Sequence, residues 1–227
     1  MDYEISGKQL VKINLEEGER IFADPGKLIG KTSTISMTPR LVGGIISAME
    51  RKIVGNAAML TVFEASGGVG SVSLSGILPG KVVAIELGEE EEFIAEHFAF
   101  LAAQDSVKFS IQALNVGAAF FGGTGIMLQK FVGPGIVFIQ PVGETIEIDL
   151  DGTSPIEVDP GHIAGFDSSI KMNIKLIDNV RSAMFAKEGI FLATLSGKGR
   201  VILHSISRFK LAAALYTEGK EEDKGSN

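Results

Sequence analysis

Residues 8–37 read KQLVKINLEEGERIFADPGKLIGKTSTISM, and this thirty-residue pattern returns at residues 80–109 and 143–172. We call each copy a long block. A repeat of this kind determines architecture before local propensities do. The apolar columns shared by the three copies are Ile13, Ile85 and Ile148; Leu15, Leu87 and Leu150; Ile21, Phe93 and Ile156; Ile35, Val107 and Ile170; and Met37, Phe109 and Met172.

Apolar and polar residues alternate within the long blocks. A period of two predicts strands with one buried face. The alternating apolar residues are Val11, Ile13 and Leu15 in the first copy and Ile146, Ile148 and Leu150 in the third.

Each long block has a predicted turn near its middle. Asp24-Pro25-Gly26 and Asp159-Pro160-Gly161 combine a fixed proline φ with a permissive glycine, which is typical of turns. The second copy has Glu96-His97-Phe98 at this place, so its turn chemistry differs.

A shorter block, punctuated by glycine, also recurs. Residues 120–142 and 185–207 share Gly133 with Gly197 and Gly135 with Gly199, and a weaker copy at 55–79 places Gly67 against Gly135. The pattern of strand, glycine turn and strand predicts a hairpin. We call each copy a short block.

The order of the blocks predicts a closed molecule. Long and short blocks alternate from a long block at 8–37 to a short block at 185–207. If each short block forms a unit with the long block that follows it, the first long block and the last short block are left over and together complete a third unit. This predicts an all-β, pseudo-threefold domain of three double-stranded β-helix-like units over residues 1–217. It also predicts that a strand at Leu10–Leu15 lies beside strands at Val201–Ser205, because closure removes exposed strand edges.

Three segments outside the blocks have helical patterns. Residues 40–54 have apolar side chains at helical spacing, residues 178–185 begin with the N-cap residue Asp178, and residues 208–216 are rich in alanine and leucine. We predict short connector helices for the first two, a C-terminal helix for the third, and a disordered polar tail over residues 218–227.

Composition excludes several classes of function. With no cysteine among 227 residues, the chain has no thiol catalysis, iron-sulfur cluster or zinc site of the CxxC kind. A net charge of -7 opposes binding to nucleic acid or anionic membranes. The apolar content of 45% favours a homo-oligomer, with a trimer among the candidate forms.

The N-terminus and the longest uncharged stretch bear on localisation. Asp2 and Glu4 stand where a signal peptide carries basic residues, which predicts a cytoplasmic protein. The uncharged stretch 109–129 is long enough to span a membrane. Its polar residues and the cluster Gly122-Gly123-Thr124-Gly125 favour strands and a turn, so no transmembrane segment is predicted.

The histidines do not form a recognisable metal-binding pattern. His97, His162 and His204 lack the HxH and HxxxH spacings of metal ligands, and two of them occupy different columns of the long block. We therefore predict no metal site. His162 with Asp167 is the pair that a small-molecule pocket would use.

Three other polar stretches have structural explanations. Gly76–Lys81 lacks the spacing of a phosphate-binding loop, and the run Glu89–Glu92 is typical of a solvated loop. Asp167-Ser168-Ser169 has counterparts in the other long blocks, which favours hydrogen bonds to the backbone near a turn. We predict no catalytic residue.

Several stretches share a specific spacing of glycine and aromatic residues, namely Gly43–Gly55, Phe120–Ile126, Phe131–Gly135, Asp159–Ser169 and Gly189–Val201. They resemble a known family, the mitochondrial biogenesis family named after altered inheritance of mitochondria. The resemblance covers about residues 5–207, with Thr124 and Lys198 as departures from the usual pattern. It implies a fold similar to the tryptophan RNA-binding attenuator protein, with three units about a pseudo-threefold axis. In fungi the family is linked to mitochondrial inner-membrane organisation.

Together these observations predict a non-enzymatic, oligomeric scaffold or binding protein without a cofactor. Its partners would be further copies of itself and an unidentified protein. RNA binding, by analogy of fold, is one alternative. Binding of a small molecule or metal inside a β-helix-like unit is the other.

Overall fold

The computed structural model describes residues 1–41, 59–114, 126–177 and 190–224. Its strands fall into three successive groups, the first, second and third units. The first contains β1 (Asp2–Ser6), β2 (Leu10–Leu15), β3 (Arg20–Ala23), β4 (Leu28–Lys31), β5 (Ile35–Leu41), β6 (Met59–Ala65) and β7 (Gly70–Leu74). The second contains β8 (Val83–Leu87), β9 (Glu92–Glu96), β10 (Phe100–Gln104), β11 (Lys108–Leu114), β12 (Ile126–Val132) and β13 (Gly135–Ile139). The third contains β14 (Thr145–Asp151), β15 (Ile156–Val158), β16 (Ile163–Asp167), β17 (Lys171–Ile177), β18 (Ile190–Ser196) and β19 (Lys198–His204).

The predicted all-β class is confirmed, with a helix, α1 (Arg208–Lys224), after the last strand. The helix begins where it was predicted but continues beyond Tyr216, so the predicted disordered tail is helical as far as Lys224. Arg40 and Leu41, predicted to begin a connector helix, belong to β5. The rest of that predicted helix and the one at 178–185 lie outside the described residues.

In each unit the two strands of the short block lie between the strands of the long block that precedes it. In the first unit β6 lies between β5 and β3, and β7 lies between β2 and β4. The same order recurs for β12 and β13 in the second unit and for β18 and β19 in the third. A unit is therefore a long block followed by its own short block.

The predicted pairing of Leu10–Leu15 with Val201–Ser205 is wrong. β2 pairs Val11 with Leu74 of its own unit, and β19 pairs Val201 with Ile148 of the third unit. A repeat can be divided at any phase, and here the first strand of each short block pairs antiparallel with the last strand of the long block that precedes it, as sequential strands usually do.

The predicted match of Gly67 with Gly135 is also wrong. Gly135 pairs with Leu87, and the corresponding Leu15 pairs with Gly70. The β6–β7 turn is longer than the β12–β13 turn, so the alignment shifts within the short block.

Consecutive units are joined by one pair of strands. β3 pairs with β10, with Ala23 opposite Ala102, and β9 pairs with β16, with Ala95 opposite Gly165. These pairs create two six-stranded antiparallel sheets, β5-β6-β3-β10-β13-β8 and β11-β12-β9-β16-β19-β14. The units are thereby linked from first to second and from second to third.

The corresponding strands of the first and third units, β4 and β15, are not paired with each other in the described part of the chain. β4 ends the sheet β1-β2-β7-β4, and β15 ends the sheet β15-β18-β17. We call β4 and β15 the open edges. No backbone pairing across them closes the ring, and the closed pseudo-threefold arrangement stays a prediction.

Side-chain burial differs sharply between the open edges and the joined strands. Ile29 of β4 is 59% exposed, whereas Leu101 and Ala164, which occupy the same position in the other long blocks, are 0% exposed. Ile156 and Val158 of β15 are half-buried. Their counterparts are fully buried, namely Ile21 and Ala23 in the first unit and Phe93 and Ala95 in the second.

The first two cores are completed by side chains from the following unit. Leu101 and Phe138 of the second unit pack into the first core, and Ala164 and Ile202 of the third unit pack into the second core. Among the described residues, the cluster of the third unit contains none from the first unit.

Because the described structure has no unit after the third, the predicted burial of alternate side chains is only partly correct in the third long block. In the first long block Val11 and Ile13 are buried as predicted. In the third, Leu150 is buried, but Ile148 is half-buried and Ile146 is 52% exposed. No following unit covers these side chains.

We expect Gly80→Ala to destabilise the fold by about 3 kcal/mol, the upper end of overpacking costs. A Cβ at Gly80 would clash with the carbonyl oxygen of Pro141, where the backbone also bridges to Gly143. Urea unfolding measures the change. Gly30→Ala is the matched control, since nothing lies within 4 Å of its added Cβ. Equal stability of both variants would contradict this packing.

Candidate functional site

The 3₁₀ turns of the three units are linked by contacts with one another and with helix α1. They span Pro25–Lys27, His97–Ala99 and Pro160–His162. In each case the preceding carboxylate accepts a hydrogen bond from the backbone N–H two residues later, at 2.9 Å for Asp24, 3.0 Å for Glu96 and 2.8 Å for Asp159. The second turn, predicted to differ chemically, therefore uses Glu96 in place of the aspartate.

Helix α1 is held against two of these turns by ion pairs. The Arg208 guanidinium lies 3.0 Å from Glu96 Oε1 and stacks on the Phe98 ring, 3.2 Å from its centroid. Lys210 Nζ lies 2.6 Å from Asp159 Oδ2. Burial raises the pKa of Glu96, although Arg208 opposes the shift. These contacts attach the helix to the second and third units.

A cleft with a volume of about 300 Å³ lies beneath α1. One wall comes from the segments that connect the units and contains Ile77, Leu78 and Val142. The opposite wall is formed by Leu211 and Leu215 of α1. The cleft is therefore mainly apolar, and its polar side chains are few.

Lys27 lines the cleft and is 4% exposed. Its Nζ donates a 2.8 Å hydrogen bond to the Phe98 carbonyl oxygen, which joins the first turn to the second. No carboxylate lies within ion-pair distance of it among the described residues. Burial lowers the pKa of Lys27, and the more distant Asp24 and Glu96 oppose that shift.

Gln140 supports the wall of the cleft and is 3% exposed. Its Oε1 accepts a 2.5 Å hydrogen bond from the Gly76 N–H, and its Nε2 donates to the Gly80 carbonyl at 2.9 Å. Both ends of the amide are therefore used to hold the segment between the first and second units.

The structure brings together two histidines that are far apart in the sequence. The ring centroids of His162 and His204 are 6.1 Å apart, and His162 Nδ1 is 2.8 Å from the His204 carbonyl oxygen. His204 Nδ1 accepts from the Val142 N–H at 3.2 Å, and its Nε2 is 3.1 Å from the Gly161 carbonyl. With both nitrogens bound to backbone, His204 connects two loops. Burial lowers its pKa to about 4.

The predicted pairing of His162 with Asp167 is wrong. The two residues lie at opposite ends of β16, since His162 precedes the strand and Asp167 ends it. Asp167 instead accepts a 2.7 Å hydrogen bond from the Arg200 N–H. The third histidine, His97, is 2.7 Å from the Gln129 amide nitrogen through its Nδ1.

The other polar stretches behave largely as their patterns predict. Ser169 Oγ donates to the Lys198 carbonyl at 2.7 Å, and its counterpart Thr34 donates to the Val69 carbonyl at 3.0 Å. Residues 89–91 are exposed, while Glu92 begins β9 and pairs with Lys130 at 2.6 Å. Gly122–Gly125 lies outside the described residues.

No group of three or more acidic or histidine side chains within the described ranges could hold a metal ion. The same ranges contain no helix with the length and apolar character needed to cross a membrane. The uncharged stretch 109–129 contributes to β11 and β12, and residues 115–125 of it lie outside the described part.

Comparison with known proteins identifies the family. The model of the family described as Mitochondrial biogenesis AIM24 matches residues 3–206. The chain belongs to this family. Membership in the AIM24 family confirms the resemblance seen in the sequence.

Two relatives match nearly the whole chain, one by sequence and one by structure. An uncharacterised protein of Streptococcus pyogenes serotype M6 is 27% identical over 213 residues, which cover 91% of this chain and 85% of the relative. A crystal structure of a protein from Streptococcus pyogenes matches with a TM-score of 0.77 at 22% identity, covering 96% of this chain and 98% of the other. The second match shows that this AIM24 family member shares a fold with a solved structure.

We expect His204→Gln to reduce the loss of stability in acid. The unfolded state takes up protons on histidine below a pKa of about 6.5, whereas folded His204 and His97 resist protonation until about pH 4. Stability therefore falls as pH decreases from 6.5 to 4, by about 3 kcal/mol for each of these histidines. Gln140 occupies the equivalent position in the second unit, so glutamine suits this backbone.

Urea unfolding at a series of pH values measures this difference. His204→Gln should remove about half of the histidine-dependent loss of stability between pH 6.5 and 4. His97→Gln combined with His204→Gln should remove the other half as well. An unchanged pH slope in His204→Gln would contradict the assignment.

Proposed function

We propose that this chain is a non-enzymatic scaffold protein whose copies assemble by pairing β15 of one copy with β4 of the next. The observation that carries the proposal is the contrast between the open edges and the two internal junctions. Equivalent strands are paired and buried within the chain, whereas β4 and β15 each lack a partner on one side among the described residues. A second copy supplies the missing strand for each.

The internal junctions provide a register for this contact. Ala23 faces Ala102 and Phe22 faces Ala103 at the first junction. The same block positions place Val158 opposite Gly30 and Glu157 opposite Lys31 between two copies. Lys31 and Glu157 are both exposed, and opposite charges directly across a strand pair are favourable.

The contact is head-to-tail because β4 and β15 are different surfaces. Such contacts close into rings or extend into filaments, according to the rotation between copies. Either product holds many identical surfaces in a fixed arrangement, as a scaffold requires. Covering Ile29, Ile156 and Val158 supplies apolar burial to support the contact.

The packing around the open edges favours a reversible assembly. Ser73 of β7 occupies the position taken by Phe138 in the second unit and Ile202 in the third, both of which are 0% exposed. A contact with Ser73 buries less apolar area than the internal junctions. Association should therefore depend on protein concentration.

RNA binding and metal binding, the alternatives suggested by the sequence, are tested by separate experiments. Salt-sensitive retention on heparin would support RNA binding. Metal analysis of the purified protein tests for a bound ion. The cytoplasmic location stays a prediction.

We expect cysteines at Gly30 and Val158 to form a disulfide between copies. The chain has no native cysteine, and directly paired strand residues are close enough for a disulfide. Gly30→Cys and Val158→Cys, purified separately and mixed under mild oxidation, should give a covalent dimer on a non-reducing gel. Val69→Cys mixed with Val158→Cys is the control, since Val69 is 63% exposed but lies outside both open edges.

Two outcomes of this cross-linking experiment contradict the proposal. One is the absence of a cross-link in the mixture. The other concerns a chain that carries both Gly30→Cys and Val158→Cys. If only this chain forms a disulfide, and the bond stays within one chain, then β4 and β15 close the ring internally.

We expect Ser73→Phe to tighten the association by about 10–100-fold, because it restores the large apolar side chain of the internal junctions. Ile29→Asp should weaken it by a similar factor. Sedimentation velocity over a range of concentrations measures both changes. Val69→Asp is the matched control and should leave the association unchanged. Equal association of all these variants would contradict the proposed contact.

A further inference from the structure

We propose that the cleft beneath α1 binds an amphipathic monoanion, an apolar chain ending in a carboxylate, with the Lys27 ammonium holding the carboxylate. This site does not depend on assembly through the open edges. Its volume of about 300 Å³ lies at the lower end of the range for small-ligand pockets, which is about 300–1,000 Å³.

The walls of the cleft suit an apolar chain. Leu78, Val142 and Leu211 of α1 all line the cleft. Ile77 and Leu215 line the same cleft and are 75% and 62% exposed. Large apolar side chains around a concave site are typical of ligand-binding surfaces. A bound chain would remove them from water.

Lys27 provides the specific polar contact. An ammonium has three N–H donors, and the described structure assigns one of them to the Phe98 carbonyl. The side chain is 96% buried, as its 4% exposure shows. A buried cation without an ion-pair partner is unfavourable. A carboxylate in the cleft would supply the partner and accept the remaining donors.

The other polar side chains of the cleft already have partners. Arg208 is paired with Glu96 and stacked on Phe98. Both ends of the Gln140 amide bind backbone groups. Lys27 is therefore the cation in the described lining that lacks an ion pair.

The surrounding charge favours a single negative charge on the ligand. Asp24 and Glu96 act on Lys27 through space from outside ion-pair distance. Arg208 also acts on Lys27, but the two carboxylates offset the charges of the two cations, so a monoanion fits better than a phosphate dianion. A neutral chain would leave Lys27 without an anion, and a cationic chain would be repelled.

Calorimetric titration with octanoate at neutral pH tests the site. We expect saturable binding of one octanoate per chain. Octanol should bind at least about tenfold more weakly, because it lacks the charge-assisted hydrogen bond. Octyltrimethylammonium should not bind. Octyl phosphate is the further comparison and should bind more weakly than octanoate.

Three substitutions distinguish a loss of octanoate binding from a loss of folding. Lys27→Gln should weaken octanoate binding at least about tenfold, whereas Lys81→Gln, which removes the same charge from an exposed position, should bind as the wild type does. Ala212 of α1 lines the cleft and is exposed to solvent, so Ala212→Phe should fill the cleft without displacing packed side chains. It should abolish binding and leave thermal unfolding unchanged, even if Lys27→Gln fails to fold.

Four results would overturn the proposal. They are the absence of saturable octanoate binding, octanol binding as tightly as octanoate, tighter binding of octyl phosphate than of octanoate, and unchanged octanoate binding in Ala212→Phe. Octanoate binding by folded Lys27→Gln within twofold of the wild type would likewise remove Lys27 from the site.

Discussion

Backbone pairing between neighbouring units is the constraint on which burial throughout the molecule depends. A strand paired on both sides satisfies its N–H and C=O groups within protein, so its side chains can be covered on both faces of the sheet. Ile21 and Ala23 of β3 are fully buried under this condition. Ile156 and Val158 occupy the same block positions in β15, which lacks the second partner in the described structure, and both remain half-buried.

The open edges have features that discourage pairing with unrelated proteins, and they also carry charges that are complementary between β4 and β15. β4 and β15 contain four and three residues, and short edge strands with charged side chains resist pairing with arbitrary chains. Their charges, Lys31 and Glu157, are of opposite sign. Ser73 keeps the neighbouring face less apolar than its counterparts. This balance favours a weak and selective contact over a permanent one. The strand pairing, the ion pair and the apolar burial each contribute little, and only the correct register allows all three together.

Much of the local structure could be predicted from the sequence, because local patterns report local geometry. The alternation of Val11, Ile13 and Leu15 predicted a strand, and the turn residues at Asp24 and Asp159 were placed correctly. The division into units could not be predicted, because a repeat has no intrinsic starting point. The strand pairings, such as that of β2 with β7, show which short block belongs to which long block.

The candidate site was largely hidden from sequence reasoning because its parts come from distant segments. His162 and His204 are 42 residues apart, and Lys27 meets the Phe98 carbonyl across 71 residues. Lys27 also has no repeated column to mark it, since Ala99 and His162 occupy its position in the other blocks. The local sequence also gives no signal, because Lys27 follows a Pro-Gly turn between Asp24 and Lys31, where a charged side chain is expected to be exposed.

Helix α1 connects regions that the sheets leave apart. Its ion pairs reach the second unit through Arg208 and the third through Lys210, and it shares the cleft with Lys27 of the first unit. Because β4 begins at Leu28, directly after Lys27, the cleft adjoins the segment that positions an open edge. An anion bound at Lys27 would strengthen the contact of α1 with the first unit at the side where strand pairing is missing. Lys27 of the cleft and the open edge β4 thus belong to one continuous segment of the first unit.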